Sequence, residues 1–74
     1  MQVTVKLFAT LKTGRFEKKT FPCPPESRVS DLLAMAQVGE KDYFISFVNG
    51  RHAGPDQVLS DGDILSVFPA VGGG

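Results

Sequence analysis

Residues 28–38, RVSDLLAMAQV, are the stretch of this 74-residue chain in which apolar positions step by three and four rather than by two. Val29, Leu32, Leu33 and Ala36 fall at i, i+3, i+4 and i+7, on one face of a helix. Ser27 or Ser30 is placed to cap its start, and Asp31 suits the positive end of the helix dipole. Gly39 stands where a terminating glycine is expected. One amphipathic helix of this length has a single apolar stripe to bury, so the rest of the chain must supply the surface that covers it.

On either side the period falls to two. Residues 3–9, VTVKLFA, set Val3, Val5 and Leu7 on one face and Thr4 and Lys6 on the other, which predicts a half-buried strand. A turn at Lys12-Thr13-Gly14 and a more polar strand over 15–21, RFEKKTF, complete an antiparallel hairpin that Pro22, Pro24 and Pro25 bring to an end. Beyond the helix, residues 43–48, YFISFV, predict a third strand closed by the tight-turn pair Asn49-Gly50. Arg51-His52-Ala53 is short enough for an edge strand. Ser60-Asp61-Gly62-Asp63 is a further turn, and residues 64–68, ILSVF, are the last strand. The order ββαββ, with an optional short strand, predicts an α+β protein: a mixed four- to five-stranded sheet folded over one main helix. With the first and last strands parallel at its centre, this is a β-grasp arrangement.

Composition limits what such a fold does. Eight Lys and Arg balance eight Asp and Glu, and 42% of residues are apolar, a pattern of a folded domain rather than a disordered one. Zero net charge argues against a nucleic-acid partner, which requires a surplus of Lys and Arg. No apolar run approaches the ~20 residues of a membrane span and no basic-then-apolar leader opens the chain, so the expectation is no membrane and a cytoplasmic location. A lone Cys23 and a lone His52 build neither a disulfide nor a zinc cage, so no metal is expected. A domain this size buries only about 60% of its unfolded surface. A deep catalytic cavity would consume much of that core, so a carrier, modifier or binding module is expected rather than an enzyme.

The final residues carry the chemistry. Residues 72–74 are glycines and read as a flexible tail on a 1–71 β-grasp body. A glycine carboxylate is a poor electrophile until adenylation gives it a leaving group that a thiol or persulfide displaces. Glycine, without Cβ, lets backbone enter a narrow active site, and three extended residues reach ~10 Å.

DGDILSVFPAVGGG, residues 61–74, resembles the carboxyl-terminal signature of the ubiquitin-like sulfur carriers MoaD and ThiS, loosely DGDxVxxFPPVxGG. The likeness takes in Asp61-Gly62-Asp63, Phe68-Pro69, Val71 and Gly73-Gly74. The opening VTVKLFATLK is more similar to MoaD than to ThiS. Val29, Asp31, Leu32 and Leu33 match the family's helix start, and Val48-Asn49-Gly50 its VNG turn. Ala70 stands in place of the second proline and Gly72 in place of a small or polar residue. Both loosen the tail. The resemblance implies that a MoeB/ThiF-type activating enzyme adenylates Gly74 with ATP, and that a sulfur donor converts it to a thiocarboxylate. A MoaE-type large subunit of molybdopterin synthase then receives the sulfur, with Gly73 and Gly74 in its active site. No cofactor is held by the carrier itself. A carrier for the thiamin thiazole, or a protein modifier joined through Gly74, shares the same terminus.

Docking residues follow from strand parity. Leu65 and Val67 share one face of the last strand and leave Ile64, Ser66 and Phe68 on the other. If Val48, Leu65 and Val67 face the helix, then Phe47 and Phe68 point outward near Phe8. Phe8, Phe47 and Phe68 are then placed like the hydrophobic patch of ubiquitin, and with Pro69, Val71 and Gly72 of the family-like terminus they make up the candidate partner-binding set. Cys23, between prolines and without a basic neighbour, reads as an apolar filler. Asp61 and Asp63 read as turn-shaping and His52 as solvated, while Arg15, Lys18 and Lys19 read as a solvated polar strand, with a weak docking role as the alternative.

Overall fold

The computed structural model describes residues 1–39, 42 and 44–70. Five strands form one mixed sheet: β1 (Gln2–Leu7), β2 (Lys18–Pro22), β3 (Phe44–Val48), β4 (Arg51–His52) and β5 (Ile64–Pro69), in the order β2-β1-β5-β3-β4. The helix α1 (Val29–Met35) follows β2. β1 pairs antiparallel with β2 and parallel with β5, and β5 pairs antiparallel with β3. This is the β-grasp arrangement, with β5 in the middle of the sheet. Strand alternation delivers Val3, Val5, Leu7, Leu65 and Val67 to one face, where they join Val29, Leu32 and Leu33 of α1 in a single core.

The helix is shorter than its apolar pattern, and its ends are built differently from expectation. Neither Ser27 nor Ser30 caps it. The Ser27 hydroxyl donates instead to the Pro24 carbonyl (2.7 Å), and the first free N–H groups of the helix find backbone acceptors across the fold. Val29 donates to Gln57 O (3.0 Å) and Ser30 to Pro55 O (3.0 Å). The Asp31 carboxylate takes the Arg28 N–H at 2.8 Å, half of a capping box. At the other end Gln37, not Gly39, occupies the left-handed position (φ 62°). Gln37 N donates to Ala34 O (3.0 Å) and Val38 N to Leu33 O (2.9 Å), a Schellman closure in which buried Val38 packs with the core beside Leu33.

The strands differ from expectation only at their ends. β1 stops at Leu7 because Ala9 turns to φ 52° and residues Ala9–Lys12 wind into a 3-10 helix that drops Leu11 into the core. β2 starts at Lys18 rather than Arg15, whose side chain is engaged elsewhere. Pro22 belongs to β2 instead of ending it. Met1 and Cys23 exchange both hydrogen bonds (2.8 Å each), so the Pro22 position between them and the ladder directs its missing N–H to the open edge. β3 begins at Phe44, and Tyr43, expected as its first residue, lies outside the described residues. Asn49 (φ 50°) and Gly50 (φ 84°) form the tight β3–β4 turn that needs two positive φ angles. β5 extends one residue further, to Pro69.

Candidate docking face and terminal segment

Because β1 and β5 run parallel in register Leu7↔Val67, both arrive at the same end of the sheet, and their next outward residues meet. Phe8 and Phe68, 60 positions apart in the sequence, stack with ring centroids 4.2 Å apart and planes 11° from parallel. Phe47 meets Phe68 edge-on at 5.7 Å, and His52 meets Phe47 edge-on at 5.9 Å. All project from the face opposite the helix, where nothing among the described residues covers them. Phe68 is 36% exposed, and the apolar neighbours Ile45 (36%) and Ile64 (38%) share that open face. Exposed apolar side chains gathered on one face, with the aromatics in mutual contact, are the chemistry of an interface.

The structure brings Phe8, Phe47 and Phe68 of the candidate set together but not Pro69. Pro69 has the parity of Leu65 and Val67 and pairs with Phe44, whose ring packs against the core, so it sits on the helix side. Val71, Gly72, Gly73 and Gly74 lie outside the described residues, which end at exposed Ala70 one residue after β5. The open-face members Ile45, Ile64 and His52 were absent from the candidate set. Strand alternation carried the signal for the two isoleucines, whereas His52 required the β3–β4 register Phe47↔His52.

Asp61 and Asp63 act as turn-shaping residues. The Gln2 N–H donates to Asp61 Oδ1 (2.7 Å), and the Ser60 N–H and Asn49 Nδ2 donate to the two oxygens of Asp63 (2.8 and 2.9 Å). Asn49 Oδ1 accepts in return from the Ile64 N–H (3.0 Å). The DGD and VNG segments are thus one hydrogen-bonded knot at the start of β5. Cys23 is buried in the core, in keeping with a filler.

Arg15 corrects the expectation of a solvated strand residue. Its Nη1 donates to Leu11 O (2.8 Å), its Nε to Gln37 O (3.1 Å), and its Nη2 to both carboxylate oxygens of Asp42 (3.2 and 3.1 Å). It ties the 3-10 helix and the end of α1 to the segment that enters β3. The Gly39 N–H beside Asp42, and then Arg15, hold that carboxyl below its ordinary range. Among the described residues no group of three or more His, Cys, Asp or Glu side chains could hold a metal ion, and no helix is long and apolar enough to cross a membrane.

A mixed five-stranded sheet grasping one helix defines a ubiquitin-like protein. A sequence model described as the ThiS family matches residues 5–74, so the chain belongs to that family. Among solved structures, it is similar to a putative molybdopterin converting factor, subunit 1, from Pyrococcus furiosus: 30% identity, 96% of this chain and 99% of that one covered, TM-score 0.77. Subunit 1 and subunit 2 of the molybdopterin-converting factor from Helicobacter pylori form a complex, and the matching chain shares 25% identity over 100% of both lengths, with TM-score 0.69. SAMP1 from Haloferax volcanii has the same fold, with TM-score 0.80 at 24% identity over 100% of both chains. No curated protein sequence matches the chain.

Proposed function

We propose that this chain is the sulfur carrier of molybdopterin synthesis, loaded at the carboxylate of Gly74. The observation that supports it best is that the family match runs to Gly74 itself, so the terminal glycines belong to the matched pattern. The 30% identity to a subunit 1 of the molybdopterin converting factor favours this pathway over the thiamin thiazole, the alternative acceptor. In this reading residues 1–71 are the recognised body and 72–74 the delivered tail.

The chemistry follows from the carboxylate. An oxygen of Gly74 attacks the α-phosphate of ATP on a MoeB/ThiF-type enzyme and pyrophosphate leaves. Sulfur from a donor then attacks the acyl carbon and expels AMP; with a persulfide donor, a second thiol cleaves the resulting acyl disulfide. The product is a thiocarboxylate that a MoaE-type subunit accepts, as subunit 2 accompanies subunit 1 in the Helicobacter complex. The carrier contributes no acid or base. Its part is to present the glycines 72–74, which carry no side chain, and to dock through the open face carrying Phe8, Phe47 and Phe68.

The test is intact mass after incubation with the adenylating enzyme, ATP and a sulfur source. One oxygen-to-sulfur exchange at Gly74 is expected, and a carboxylate that stays unchanged would falsify the proposal. Gly73→Ala should abolish most of the transfer while stability moves by no more than ~0.5 kcal/mol. Pull-down of a molybdopterin-synthase large subunit rather than a thiazole synthase decides the pathway, and conjugates on other proteins that depend on Gly74 would mark a modifier instead.

A further inference from the structure

The chain is formally neutral, yet its charges are sorted along the strands. At the start of β5, Asp61 and Asp63 take N–H donors and have no cation within ion-pair distance among the described residues. At the other end, β1 and β2 set Lys6 directly across from Lys18. Among the described residues the acids near that end are already engaged, Glu17 with Lys12 at 3.2 Å and Asp42 with Arg15 at 3.1 Å. Lys6 and Lys18 therefore lack an ion-pair partner among the described residues.

Like charges facing each other across an antiparallel pair disfavour the fold. The next outward pair shows what folding alone would choose, because Thr4 and Thr20 join their hydroxyls at 2.9 Å. A groove lined by Lys6, Leu7, Phe8, Lys12, Glu17 and Lys18 opens at this spot, with Phe8 stacked on Phe68 beside it. Its ammonium groups adjoin the aromatic face and stand at the end of the sheet from which the chain leaves β5.

We propose that this groove receives an acidic segment, bearing Asp or Glu side chains, of the adenylating enzyme that takes up Gly74. The inference rests on the carrier reading above. Carboxylates of the partner lie between Lys6 and Lys18, whose mutual repulsion they relieve, while an apolar neighbour on the same segment covers Phe8 and Phe68. Such a contact steers encounter and fixes orientation, and it weakens with added salt.

The experiment follows adenylation of the full chain by its MoeB/ThiF-type enzyme, as ATP–pyrophosphate exchange at low and high ionic strength. For the parent chain KM should rise with salt. K6E/K18E should raise KM roughly tenfold at low salt, leave kcat within about twofold and flatten the salt response. K18E alone sets opposite charges across β1 and β2, so it should raise Tm while still raising KM, a split that a purely structural role does not produce. K19E is the control, since Lys19 lies over the Phe21 ring at 5.1 Å and lines no part of the groove. Unchanged KM in K6E/K18E, or an equal effect from K19E, overturns the groove while adenylation of the parent chain persists. Absence of adenylation in the parent overturns the carrier reading and the groove with it.

Discussion

The two ends of the sheet solve opposite problems. At the end where β5 begins, Asp61, Asp63, Asn49 and the first residue of β1 hydrogen bond to one another. At the end where β5 finishes, Phe8 and Phe68 stack in the open, and Lys6 faces Lys18. The first end is satisfied from within the chain. The second leaves apolar surface and like charge in place, which is what a binding surface looks like before its partner arrives. The motif residues thus divide in two: those of the DGD and VNG turns hold the last strand, whereas Phe68 at the far end stands partly in solvent.

The sharpest way to break this division is Phe68→Ala. Its ring stacks on Phe8 and meets Phe47 edge-on, but it is partly in solvent, so chemical denaturation should show a loss of only ~1 kcal/mol. Affinity for the adenylating enzyme or the large subunit, measured by calorimetry, should fall by about 2 kcal/mol, as for an interface anchor. If affinity drops no further than stability, the aromatic stack is merely a surface ornament of the fold. Asp63→Ala is the converse. It strips acceptors from the Ser60 N–H and Asn49 Nδ2 and should cost ~1–2 kcal/mol of stability in a urea titration. Loading of Gly74 should remain intact wherever the variant is folded. Loss of loading in the folded variant would show that the turn end takes part in recognition.

The smallest effect concerns Asp42, which joins the end of α1 to the approach of β3. Its carboxyl is depressed in the folded protein, chiefly by the Gly39 N–H and then by Arg15. A depressed acid stabilises the fold fully above its unfolded value, 3.8 for this group, and the contribution disappears as pH falls through the lower folded value. Thermal unfolding of Asp42→Asn should therefore lie below that of the parent at neutral pH and converge with it in acid. A constant gap down to the lowest pH would mean that the Arg15 contact is incidental.

The alternation of Val3, Val5 and Leu7, the helical spacing of Val29, Leu32, Leu33 and Ala36, and the Asn49-Gly50 turn made the elements readable, because each pattern reports which side of a short segment avoids water. Strand parity also placed Phe47 and Phe68 on one face. What escaped reading was long-range pairing of backbone and charge. The carbonyls of Pro55 and Gln57 replace a serine cap, Gln37 takes a conformation that glycine usually supplies, and Arg15 clamps loops distant in sequence.

The amino-acid order by itself determined the helix, the strands and the glycine terminus, since these rest on local periodicity and on the chemistry of single residues. Only the tertiary structure decided that Phe8 stacks face to face on Phe68 and that Lys6 confronts Lys18. Those outcomes depend on the parallel register of β1 with β5 and the antiparallel register of β1 with β2. Register is a relation between segments that burial of the whole core fixes, and a slip of one residue would send each of these side chains to the opposite face.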